Sequence, residues 1–220
     1  NAIGVEGLFM EWIVKALKPS GKAFIIVPDG IFNRQNDKNL RQFLLDECLI
    51  DGIISLPIKT FFTTPKRTYI LCLTKKADKK QIQTDPVFTY FVSEMGESRD
   101  VYRFDIDQDD LNEAITLYSF FKGNKQSFSK INTDIRCKIQ PIELFKPENH
   151  WCVERWWSTE EKEVLGIKDE NLKLKIEEFP TLLDEVSNSI ISIKAEVEEL
   201  ANDVNKPKFV KLAIKHIFDL

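Results

Sequence analysis

A chain of 220 residues with 43% hydrophobic side chains can bury a real core, as one large domain or two small ones. Its 31 Lys and Arg against 35 Asp and Glu leave a formal charge of −4, which speaks against a dedicated nucleic-acid-binding module with a basic face. A piece of a larger nucleic-acid enzyme, with its basic groove elsewhere, stays open.

In residues 6–17, EGLFMEWIVKAL, the positions Leu8, Phe9, Trp12, Ile13, Ala16 and Leu17 recur at helical spacing and predict an amphipathic helix. KPSG ends it, because Pro19 cannot continue the ladder and Gly21 tolerates the turn. KAFIIVP is a short unbroken apolar run, the pattern of a strand buried on both faces in a parallel sheet. NDKNLRQFLLDECL predicts a second helix capped by Asn36 or Asp37, and IDGIISLP a second strand. Helix, strand, helix, strand is the α/β order of a doubly wound sheet. TYILCLTKK and PVFTYFVSEM follow, joined only by the charged turn KADKKQIQTD, which predicts antiparallel pairing at one edge.

Residues 99–166 are less regular. DIDQDDLNEAITLYSFFKG predicts a helix whose acidic start suits the helix dipole. CKIQPIELFKPENHWCVERWW is expected to be extended, and Ser158 with Glu161 has the spacing of a capping box. Between Leu182 and Val204, the residues Val186, Ile190, Ile193, Val197 and Leu200 alternate three and four apart. They predict a helix of roughly six turns with a coiled-coil-like seam. NKPKFVKLAIKHIFDL starts a further unit.

The cysteines Cys48, Cys72, Cys137 and Cys152 form no C-x-x-C pair, which reads as reduced cytosolic thiols. No apolar run approaches the roughly 20 residues that span a bilayer, and no signal peptide opens the chain. The expectation is a soluble cytoplasmic protein with no membrane partner. The chain opens on Asn1-Ala2 without a methionine, which suggests a fragment.

Three groupings of chemistry-bearing residues stand out, each beside a plainer reading. Asp105, Asp107 and Asp109 suggest a calcium loop, but its sixth position is Asp110 rather than Gly and its twelfth Thr116 rather than Glu. A solvated helix start accounts for them better. Cys137, His150 and Cys152 offer three metal ligands without a fourth and match no zinc spacing. Glu160 and Lys162, with Asp134 upstream, resemble the Glu-x-Lys of restriction-type nucleases. That motif belongs on a strand, whereas here it falls in the first turn of a helix, where Glu is expected anyway. With no G-x-S-x-G and no phosphate-cradling glycine loop, the inventory holds no active site.

FFTTPKRTYILCLTKK, residues 61–76, puts Phe61 and Phe62 in a polar loop ahead of a buried run. Leu17-Lys18-Pro19-Ser20-Gly21, running into a strand that ends in Val27-Pro28, resembles the post-catalytic half of N6-adenine DNA methyltransferases. The modification subunit of type I restriction systems is the nearest flavour, and NLRQFLLDECLIDGIISLP and FFTTPKRTYILCLTKK follow in the family's order. The resemblance covers residues 6 to about 95. It implies an α/β fold: the C-terminal half of a Rossmann-like S-adenosylmethionine-dependent methyltransferase sheet, with an antiparallel edge hairpin and a mostly helical region after it.

In that family an Asn-Pro-Pro-Phe/Tyr loop holds the target amine, and a phenylalanine before the last hairpin stacks on the flipped-out adenine. Phe62, six residues before Thr68, has that ring's spacing, so the resemblance implies substrate binding by Phe62, Lys66, Arg67 and Thr68. Lys66 and Arg67 would neutralise a phosphate. The other reading has Phe61, Phe62 or both plugging the sheet edge; Phe62 is favoured as base-facing and Phe61 as core. Neither the family's glycine-containing cofactor loop nor its Asn-Pro-Pro-Phe/Tyr tetrapeptide occurs in the sequence. The expectation is therefore no catalytic residue, no metal, no cofactor in this chain and no methyl transfer alone, with S-adenosylmethionine serving an intact parent.

KFVKLAIKHIFDL resembles the opening of a target-recognition domain of a type I specificity subunit. The expected divisions are a half methyltransferase domain at 1–98, a connector at 99–166, a spacer helix at 167–205 and a recognition-domain start at 206–220. That helix is equally readable as an ordinary packing or dimerisation helix. The function expected is the target-base and DNA side of a restriction-modification adenine-N6 methyltransferase. The alternative is a docking module of a type I restriction complex without a direct DNA role. Double-stranded DNA, restriction and specificity subunits, and a second copy joined through the open edge of strand 23–28 or the helix seam are the implied partners.

Overall fold

The structure, a computed structural model, describes residues 4–99, 102–131 and 135–165, together with 183, 187, 190–194 and 197–198. The chain divides into two compact units, Asn1–Ile167 and Lys168–Leu220. In the first, α1 (Val5–Ala16), β1 (Lys22–Pro28), α2 (Asp29–Asn33), α3 (Lys38–Glu47) and β2 (Cys48–Ser55) follow in alternation. Then come β3 (Thr68–Lys75), β4 (Val87–Phe91), β5 (Met95–Glu97), β6 (Asp105–Asp109), α4 (Asp110–Gly123), α5 (Lys125–Ile131), β7 (Cys137–Gln140) and α6 (Thr159–Val164).

Five strands form one mixed sheet in the order β1-β3-β2-β4-β7. β3 runs antiparallel to both β1 and β2, β4 parallel to β2, and β7 antiparallel to β4. β1, β2 and β4 therefore point the same way. The antiparallel pairing expected between β3 and β4 is found elsewhere, because β2 lies between them. β3 folds straight back along β2 and also zips onto β1, which leaves β4 the far side of β2.

A bulge in β2 between Ile50 and Gly52 breaks the strand's alternation, so Ile50 and Ile53 face the same core despite their odd separation. The extra residue, Asp51, is buried and accepts hydrogen bonds from Thr74 Oγ1 and Lys122 Nζ. The Gln83 amide completes the ladder, its Oε1 accepting from Ile50 N and its Nε2 donating to Ile50 O, both at 2.8 Å. A Cβ at Gly52 would stand 3.0 Å from Phe88 O and 3.2 Å from the Tyr118 ring, so the close approach of β4 and α4 requires glycine there.

Each face of the sheet carries its own apolar layer. One joins Met10, Val14, Val27, Phe32, Leu44 and Trp151; the other joins Ile54, Phe88, Tyr90, Leu117 and Phe121. The stretch 137–157, expected to be extended, closes the first layer through 3-10 turns at Ile142–Leu144 and Val153–Trp156. Trp151 N donates to Phe32 O, and its indole packs against the rings of Phe32 and Phe145.

Several local expectations change. α1 buries Gly7, Met10 and Val14, whereas Leu8, Phe9 and Trp12 are exposed. The helix is apolar on more than one side, and the sheet receives its slimmer stripe. β1 is buried on one face only, with Phe24 60% and Ile26 55% exposed, and its single neighbour among the described residues is the antiparallel β3 rather than a parallel strand. Asp37 stands at the N-cap position of α3 without a side-chain capping bond, and a 3-10 turn at Gln35–Asp37 leads into the helix instead. DIDQD, expected as helix, forms β6 and pairs with β5, since its alternation has period two. α4 then begins where the Asp109 carboxylate accepts from Leu111 N. The capping box of Ser158 and Glu161 is present in both directions.

In the second unit, 183, 187, 190–194 and 197–198 are helical. Leu183, Ile190, Ile191, Ile193 and Val197 are exposed. Val186, Leu200 and the segment 206–220 lie outside the described residues. Among the described residues no helix is long and apolar enough to cross a membrane.

Candidate functional site

Parallel strands bring their carboxyl ends to one edge, and in open α/β sheets that edge is where ligands bind. Here Pro28, Ser55 and Phe91 end β1, β2 and β4 at that edge, and the segment 56–67 arises from it before returning as β3. Its path is set by short-range bonds. Thr60 Oγ1 donates to Pro57 O at 2.6 Å, Lys59 takes a left-handed φ of 59°, and Thr64 N donates to Phe61 O at 3.2 Å.

The last of these bonds closes a β-turn with Phe62 and Thr63 at its corners. Phe61, at the first turn position, packs against the core cluster of Ile54, Leu56 and Tyr90. Phe62, at the corner, points out and is 76% exposed. Packing does not account for this exposed ring, nor for those of Tyr102 and Phe104, which are 88% and 59% exposed on either side of Arg103 in the chain.

One side of the ring is covered. The Arg103 guanidinium lies 4.2 Å from its centroid, within cation–π range. Arg103 Nη1 donates to Glu97 at 2.8 Å, and Nη2 donates to the carbonyls of Lys59 and Thr60 at 3.2 and 2.8 Å. The neighbouring turn after β4 is held by Asp110, whose carboxylate accepts from Ser93 N and Glu94 N. Met95, just beyond, packs in the same cluster as Phe61. Neither Arg103 nor Asp110 was marked by sequence reading. Asp110 looked like one more acid of a helix start, and Arg103 is 41 residues from the ring it covers.

The residues singled out with Phe62 have separate fates. Lys66 is exposed on the same loop, and its backbone N donates to Thr64 Oγ1. Arg67 turns inward: Nη1 donates to Ser55 Oγ and Leu56 O, and the guanidinium lies 5.0 Å from the Phe91 ring centroid. Those contacts assign Arg67 to closing the strand ends. Thr68 is buried at the start of β3, its Oγ1 without a hydrogen-bond partner among the described residues.

The other groupings do not assemble. Cys137 and Cys152 belong to the layers on opposite faces of the sheet, and no cluster of three metal-ligating side chains occurs among the described residues. Burial pushes the Cys152 thiol up to about 11. Asp105, Asp107 and Asp109 lie along β6 and encircle nothing. Glu160 and Lys162 sit in α6, and Asp134 lies outside the described residues. Cavities of 410 and 200 Å3 open at the opposite end of β2, lined by Lys76, Lys79 and Lys80 in one and by Asp51, Gln83 and Lys122 in the other.

A mixed sheet with one antiparallel strand inserted between parallel neighbours, and an aromatic held out beyond the strand ends, defines an α/β domain. The chain belongs to the N-6 DNA methylase family, whose model matches residues 5–139. It is 32% identical over 87 residues to the type I restriction enzyme EcoKI methylase subunit of Escherichia coli K12, covering 37% of this chain and 16% of that protein. It is 38% identical over 81 residues to the MpnII methylase subunit of Mycoplasma pneumoniae, covering 36% and 14%. The chain thus matches about a sixth of the length of these curated relatives. The same fold occurs in a solved structure describing complex assembly and conformational transition of a type I R-M system, with a TM-score of 0.57 at 19% identity over 92% of this chain and 40% of that one.

Proposed function

We infer that this chain supplies the target-base side of an adenine-N6 DNA methyltransferase of a type I restriction-modification system, with Phe62 stacking on the flipped base. The observation that carries this reading is the 76% exposure of Phe62 on a loop rising from the carboxyl ends of parallel strands. A base taken out of the duplex loses its stacked neighbours, and an aromatic face returns about 1–3 kcal/mol of that loss. Lys66, exposed four residues on, would neutralise a phosphate of the same strand.

S-adenosylmethionine supplies the methyl group in such an enzyme. Neither cavity at the other end of β2 fits it, being lined by lysines and a buried carboxylate rather than by a glycine loop. The chain alone is therefore expected to transfer no methyl group. The segments 1–98, 99–166, 167–205 and 206–220 would serve as half methyltransferase domain, connector, spacer helix and start of a recognition domain. Double-stranded DNA and the restriction and specificity subunits would be its partners in the cytoplasm.

The test introduces Phe62→Ala into an intact methylase that includes this chain and compares it with the unchanged enzyme for transfer of labelled methyl to DNA. A loss of about tenfold or more with unchanged melting supports stacking. Full activity would sink it.

A second reading, a docking module for the other subunits, is favoured by the open edge of β1 with Phe24 and Ile26 exposed and by the outward stripe Leu8, Phe9 and Trp12 of α1. Unpaired edges beside apolar surface invite association. The isolated chain is expected to self-associate, and Ile26→Lys to return it to a monomer in sedimentation runs. A wild-type chain that stays monomeric at high concentration removes this reading.

A further inference from the structure

We propose that Arg103 is the positioning residue of the Phe62 ring, covering one face and presenting the other to a purine. This rests on the base-stacking reading and adds the device that readies the ring. At the corner of a turn an exposed phenylalanine is free to sample several rotamers, and a flat ligand must freeze it at an entropic cost. A partner on one face removes that freedom before the ligand arrives.

Arg103 is built for this. Its side chain is only 15% exposed, and its planar fork makes three bonds at once: to Glu97, to Lys59 O and to Thr60 O. The two carbonyls belong to the residues just before Phe61, so the same group that stacks on the ring also anchors the backbone that carries it. Glu97 in β5 anchors the fork from the other side. Lysine, with a compact ammonium and no plane, cannot make these bonds and stack as well. A conservative Arg-to-Lys change is therefore expected to release the ring.

The test uses the 220-residue chain carrying 4-fluorophenylalanine at position 62, observed by fluorine NMR and titrated with a single-stranded adenine oligonucleotide. Wild type is expected to show a resonance distinct from solvent-exposed fluorophenylalanine that shifts saturably with oligonucleotide. In Arg103→Lys the resonance is expected to move to the exposed value, and the apparent Kd to rise about tenfold. Circular dichroism confirms the fold; should Arg103→Lys not fold, Glu97→Gln frees the same fork more gently and is expected to shift the signal part of the way.

An unchanged resonance in a folded Arg103→Lys chain overturns the proposal, as does a released ring that binds the oligonucleotide as tightly as before. No response to oligonucleotide in wild type, with the ring still released by Arg103→Lys, overturns the base-stacking reading itself. The two failures differ in which half of the experiment is silent.

Discussion

Phe61 and Phe62 are adjacent in the chain and opposite in the fold: the first packs beneath the sheet edge, and the second stands 76% exposed above it. The Thr64 N to Phe61 O bond separates them, since it makes Phe61 the inward start of a turn and Phe62 its corner.

The two rings should therefore respond differently to truncation. Phe61→Ala removes a partly buried ring from the cluster of Ile54 and Leu56 and is expected to cost about 1–3 kcal/mol in urea unfolding. Phe62→Ala gives up only the Arg103 contact and should stay within about 1 kcal/mol of wild type. Equal losses would mean that both rings are structural.

Arg41 is the most consequential cation in the fold. It is 1% exposed, and its guanidinium donates to Ile31 O at 2.7 Å, Arg34 O at 3.0 Å and Pro147 O at 2.9 Å. It ties α3 to the C-terminal end of α2 and to the turn at Pro147. Arg41→Met removes three hydrogen bonds, although Arg34 O keeps the one from Asp37 N, and is expected to cost about 2–4 kcal/mol, read as a fall in the urea midpoint.

Acid should weaken the chain through Glu47. Its carboxylate accepts from Lys75 and Lys79, both at 2.6 Å, and these bonds hold its pKa at about 2 against an ordinary 4.5. A depressed carboxylate pKa contributes fully above 4.5 and loses that contribution as pH falls through 4.5 towards 2. The Lys79 side chain is 80% exposed, so most of the stabilisation comes from Lys75, which is 15% exposed. Melting followed across that window should show a loss of about 1–2 kcal/mol in wild type that Glu47→Gln lacks.

Much of the fold is legible in the sequence, because unbroken apolar runs such as KAFIIVP and the capping pair Ser158 and Glu161 act over a few residues. Phe62 was singled out only through the resemblance to the methyltransferase family, and what the structure adds is its 76% exposure. Arg103 was not: nothing local distinguishes it from Arg99, and its meaning comes from a contact between segments far apart in the chain.

By itself the sequence determined most of the periodic elements and the α/β order, because these depend on neighbours within one or two turns of chain. Only the tertiary structure decided that β3 enters between β1 and β2, that α1 turns its larger apolar stripe outward, and that Arg67 closes the strand ends while Arg103 takes the ring. Strand order and cation pairing are settled by which distant surfaces meet. Local periodicity carries no information about that choice.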